Sequence, residues 1–141
     1  MANYRTLTIS KPSLVALRSS IGVIYIWFGM LKFFQGMSPA EQLAINTIHE
    51  LCFGVLPARV SLLLLAGWET VLGLLLVSGL WKKQVIIALV VHMVCTFTPL
   101  LFFPQLSFSH APYGFTLVGQ YIMKNIVILA AAWVLWQTSD Q

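Results

Sequence analysis

Residues 60–80, VSLLLLAGWETVLGLLLVSGL, form an apolar run broken by a single acidic side chain, Glu69. A helix crosses the hydrocarbon core of a bilayer in about 20 residues. The run therefore predicts a membrane span with a carboxylate near its middle. An ionised group at that depth costs roughly 2.5–3.5 kcal/mol on insertion scales. The rest of the chain has to offer Glu69 a partner, a proton or a water-filled cavity, and that requirement constrains the fold more than any other feature.

Composition agrees with a membrane chain. Of 141 residues, 59% are apolar and only 9% charged, where a soluble domain carries about 25% charged residues. The formal charge of +4 comes from lysines and arginines scattered at predicted helix ends. They form no basic stripe, so a nucleic-acid partner is not expected. Cys52 and Cys95 make neither a C-x-x-C pair nor a metal-ligand spacing, and no metal site is predicted.

The chain reads as one domain, 1–141, of the all-α class: an integral membrane four-helix bundle with a short amphipathic surface helix between the first and second spans. The first span covers about 13–34, with Pro12 in its first turn. A signal peptide is the competing reading, but the segment is long enough to span. Gly22, Gly29 and Gly36 recur every seven residues, a small-residue stripe that lets another helix approach. Residues 35–59 are too polar to span, and the surface helix is expected over about 38–53. Ser38-Pro39-Ala40-Glu41 reads as a capping box with Pro39 at the first helical position. Ala44, Ile48, Leu51, Cys52 and Val55 then share one face, and Gly54 and Pro57 end the helix. The second span, 60–80, stops at Trp81, Lys82 and Lys83, an interfacial pattern. A third span covers about 84–103, with His92, Cys95, Thr96 and Pro99 on one face and a kink at Pro99. An aromatic, proline-rich loop leads to the last span, about 116–136, which ends near Trp133 and Trp136.

Arg5, Lys11, Arg18, Lys82 and Lys83 fall on the side holding both termini, against Arg59 and Lys32 opposite. The positive-inside rule then puts both termini in the cytoplasm. Counting inward from the outer helix ends at about 1.5 Å per residue, Glu69 lies roughly 15 Å deep, Lys124 roughly 12 Å, His92 roughly 16 Å and Lys32 perhaps 5 Å. Gln120 sits one turn above Lys124. The simplest inference is a buried Glu69–Lys124 ion pair with His92 nearby, in a polar layer with Gln120, Lys32 and Asn125. Two readings of this layer stand side by side: a pair that fixes helix register, and an intramembrane functional site. Tyr25, Trp27, Trp68 and the phenylalanines are candidates to line a pocket for a flat hydrophobe such as a quinone.

Two blocks carry a family resemblance. YIWFGMLKFFQGMSPAEQLAINTI, residues 25–48, resembles the first block of the DoxX-like family of small bacterial membrane proteins, and TLVGQYIMKNIVILAAAWVL, residues 116–135, resembles its final helix. Lys32, Gln120, Lys124 and Asn125 fall within these blocks. The resemblance implies a four-helix protein of the bacterial inner membrane, and a redox- or quinone-associated accessory subunit, since members are labelled oxidoreductase components. No catalytic role follows for any residue, and the lack of a thiol pair argues against direct thiol chemistry. The alternatives are a structural or assembly subunit of a larger membrane complex and a small proton-coupled transporter using the Glu–Lys layer. The expected partners are the lipid bilayer and either further copies of the chain or other subunits.

Overall fold

The structure, a computed structural model, describes residues 9–38, 40–80 and 82–139. The expectations for Arg5, for Pro39 and for Trp81 fall outside the described residues. Four helices among the described residues are long and apolar enough to cross a membrane: Lys11–Phe33, Ala58–Ser78, Lys82–Phe102 and Leu117–Gln137. The chain is a multi-pass membrane protein of the all-α class.

Helix α1, Lys11–Phe33, begins at Ser10, whose side chain accepts from the Ser13 backbone N–H, with Pro12 in the first turn. Helix α2, Glu41–Leu51, is the short helix between spans. Helix α3, Ala58–Ser78, is the Glu69 span; it stops at Gly79, whose φ of 76° suits a residue without Cβ. Helix α4, Lys82–Phe97, is followed after Thr98 by α5, Pro99–Phe102. The regular helix is thus interrupted one residue before Pro99, where the kink is expected, although Thr98 keeps helical dihedrals. In the connecting loop, α6, Pro104–Ser107, leads into a two-stranded hairpin of β1, Phe108–His110, and β2, Gly114–Phe115, paired antiparallel. The loop reading had no strands.

The last span is two pieces, α7, Leu117–Lys124, and α8, Ile126–Gln137. At their junction the Asn125 N–H donates to Ile122 O, three residues back, which tightens the turn. Thr116 caps α7: its hydroxyl accepts from the Gly119 N–H at 3.1 Å.

The capping box expected for α2 is not formed. Helix α2 starts at Glu41 with no side-chain cap bond; the Glu41 N–H donates to the Ser38 carbonyl oxygen. The Glu41 carboxylate reaches back to the Gly36 N–H instead, at 2.8 Å. The burial of α2 also departs from the expected stripe. Thr47 is its buried residue, and Leu51 and Val55 are exposed.

The closest packing in the molecule is α1 against α3. A Cβ on Gly29 would stand 2.6 Å from Thr70 Oγ1, and one on Gly73 would stand 2.7 Å from the Gly22 carbonyl oxygen. The small-residue stripe therefore works for Gly22 and Gly29 as expected. Gly36 is not part of it: it lies beyond α1 at φ 75°, with nothing within 4 Å of a Cβ. The bundle core adds α4 and α8, with Leu76, Leu89, Met93, Ala132 and Leu135 buried among Ile21 and Leu72. Lys11, Lys82 and Ser139 line one cavity, so the start of α1, the α3–α4 turn and the end of α8 share one end of the bundle.

Candidate functional site: a buried polar cluster between three spans

Glu69 finds its partner on α1. Lys32 Nζ donates to Glu69 Oε2 at 2.6 Å, and their side chains are only 9% and 11% exposed. Lys32 Nζ also donates to Phe28 O at 3.3 Å. On the other carboxylate oxygen, His92 Nε2 of α4 stands 3.6 Å away, beyond hydrogen-bond range but in direct contact. The His92 ring meets Tyr25 of α1 edge to face, centroids 5.5 Å apart. The Tyr25 hydroxyl is buried and has no hydrogen-bond partner among the described residues. Four side chains from three spans thus run in a line: Lys32, Glu69, His92, Tyr25.

Residue counting from the helix ends puts Lys32 and Glu69 roughly 10 Å apart in depth, but the register that seats Gly29 against Thr70 brings them within about one turn, and side-chain direction does the rest. Each Cα–Cβ bond leans toward the N-terminus of its own helix. In α1 that direction leads from Lys32, next to the helix end at Phe33, back into the bilayer. In the antiparallel α3 it leads from Glu69 toward Lys32. The two side chains lean toward each other and a long lysine stem closes the gap.

The predicted pairing of Glu69 with Lys124 is not formed. Helix α7 packs against α4, α6 and α8. Lys124 is exposed, its Nζ 5.1 Å from the centroid of the Tyr121 ring. Gln120 is exposed as well. Asn125 belongs to a separate contact: its Nδ2 donates to Thr96 Oγ1 at 3.3 Å and ties the α7–α8 junction to α4. Of the six residues predicted for the polar layer, the structure brings together Glu69, His92 and Lys32 and adds Tyr25. Sequence reading placed Tyr25 among aromatic pocket candidates rather than in the layer. The available signal was its spacing, seven residues before Lys32 on the same helix. Of the other aromatics named, Trp27 is exposed, while Trp68 lines an open apolar groove of about 350 Å³ with Ile48 and Leu65.

The cluster combines hydrogen-bond donors and a carboxylate in a site walled by apolar helices. Such a group can bind a carbonyl or carboxylate, or hold and pass a proton between His92 and Glu69. A family model, DoxX, matches residues 13–103. The chain belongs to the DoxX family. The DoxX match covers well over half of the chain and includes Tyr25, Lys32, Glu69 and His92; Gln120, Lys124 and Asn125 lie beyond it. No curated protein and no solved structure gives a significant match.

Proposed function

We propose that this DoxX-family protein is a redox-associated accessory subunit of the bacterial inner membrane, and that its polar cluster holds a quinone-type headgroup. The unpartnered Tyr25 hydroxyl beside His92 carries the reading. A buried donor left without an acceptor costs about 1–3 kcal/mol, and a ligand carbonyl at Tyr25 would remove that cost. His92 and Glu69, in contact one step further along, are the groups to exchange protons with the bound ring. Reduction of a quinone to a quinol takes two electrons and two protons. In this reading the electrons come from a partner redox subunit, and this chain binds the ring and handles protons.

The packing argues against a purely structural ion pair. Buried ion pairs add little net stability compared with apolar residues. The α1–α3 register is already set by the backbone approach at Gly22, Gly29 and Gly73. A charge pair is not needed to align these helices, which supports a role for it beyond packing. Lys11, Arg18, Lys82 and Lys83 at the end that holds the start of α1 and the end of α8 support cytoplasmic termini.

The test is purification in mild detergent, with extraction and chromatographic analysis of bound quinone. Quinone at a fixed ratio to protein in the wild type, falling several-fold in Tyr25→Phe with unchanged folding, supports the reading. A co-purifying complex without quinone supports the assembly-subunit alternative. A wild-type protein free of quinone that also fails to bind added quinone overturns the proposal.

A further inference from the structure

At the opposite end of the α1–α3 seam from Lys32 lies a cavity of about 190 Å³, bounded by α1, α3, α4 and α8. Three of its lining residues are cationic, Lys11, Arg18 and Lys82, and none of the described lining residues is acidic. Its rim includes Val15 and Leu80, both exposed apolar side chains on the outer surface of the bundle.

Arg18 lies against the glycine that ends α3. Its guanidinium rests against Gly79, where a Cβ would come within 2.6 Å of Arg18 Cζ. Gly79 itself is set by the left-handed turn that stops α3, at φ 76°, and the guanidinium that lies over it is only weakly bonded. One nitrogen donates to Val77 O over a long 3.4 Å, and Nε is buried without a partner among the described residues. A guanidinium carries five N–H donors in a planar fork that matches phosphate oxygens. Two exposed lysines stand on the same cavity.

We propose that this pocket binds a phosphate group, presented at membrane depth by an anionic phospholipid whose acyl chains lie along Val15 and Leu80. Basic pockets between membrane helices are suited to such headgroups, because the charge is met by cations while the chains stay in an apolar surface. A free phosphate ion shares the headgroup chemistry but makes no use of the apolar rim. The site is separate from the polar cluster and does not depend on its reading.

The experiment is native mass spectrometry of the full chain released from nanodiscs, with phosphatidylglycerol or phosphatidylcholine as the added lipid and inorganic phosphate as a third probe. The expected result is retained phosphatidylglycerol, about tenfold over phosphatidylcholine, with inorganic phosphate at millimolar concentration failing to displace it. Arg18→Gln should abolish that preference. Should Arg18→Gln fail to fold, the Lys11→Gln/Lys82→Gln double variant leaves the Arg18–Gly79 contact intact and should reduce the preference several-fold. Arg59→Gln, a cation at the other end, should leave it unchanged. Equal retention of the two lipids, or undiminished preference in both variants, overturns the proposal. Displacement by inorganic phosphate overturns the lipid as the source.

Discussion

Replacing Glu69 by Gln removes the carboxylate that neutralises Lys32 inside the bundle. The ammonium then has only neutral acceptors, the Phe28 carbonyl 3.3 Å away among them, and no counter-charge. Both side chains are about nine-tenths shielded, so the loss belongs in the range for a broken buried pair, about 3–5 kcal/mol. Lys32→Met is the milder change, because Glu69 retains His92 at 3.6 Å; a loss of about 1–3 kcal/mol is expected. The double variant leaves no orphan charge and should recover most of the difference, giving a coupling energy of about 2–3 kcal/mol. Lys124→Met, at an exposed site, should stay within about 0.5 kcal/mol of the wild type. Equilibrium unfolding in mixed detergent micelles, run on the wild type and all four variants, measures these values. Additive losses for Glu69→Gln and Lys32→Met would refute the pairing. So would a Lys124→Met loss as large as that of Lys32→Met.

Gly29→Ala should destabilise the α1–α3 seam by about 1–3 kcal/mol, since its Cβ meets Thr70 at 2.6 Å, and the same unfolding assay reads it. Thr116→Ala removes the α7 cap and should cost about 0.5–2 kcal/mol, seen as faster hydrogen exchange at residues 117–120. Ser38→Ala should leave hydrogen exchange in α2 unchanged, because no cap bond is made there, whereas Glu41→Ala should speed exchange of the Gly36 N–H.

The four spans were legible because span length and apolar content are properties of the chain alone. Gly22 and Gly29 were legible for a similar reason: a heptad of small residues has few uses other than close packing. The partner of Glu69 was not legible from depth counting, which ranks residues by height and ignores both the lean of the side chains and the face each helix turns inward. Lys124 had the right height and the wrong neighbours. The Ser38 box failed for a local reason. Three-residue spacing to Glu41 is shared by a capping box and by a tight turn, and the backbone here took the turn. The hairpin after α6 was hidden because its strands are too short to show an alternating pattern.

The two sites have a common origin in one stripe of α1. Arg18, Tyr25 and Lys32 are spaced seven residues apart, and Gly22 and Gly29 repeat the same interval four residues on. A seven-residue step returns to nearly the same face of a helix, drifting by only about 20°. The glycine stripe brings the α1 backbone against α3, and this approach holds the polar stripe beside it at fixed distances from α3 and α4. Lys32 thereby meets Glu69, Tyr25 meets His92, and Arg18 meets the glycine that ends α3. Helix packing gives the ammonium of Lys32 two acceptors but leaves, among the described residues, an unpartnered buried donor on each of the other two, Tyr25 Oη and Arg18 Nε. Native folds rarely leave such donors without a partner. Two on a single stripe, one within the bundle core and one at the basic end, are where the proposed ring carbonyl and the proposed headgroup would each supply the missing acceptor.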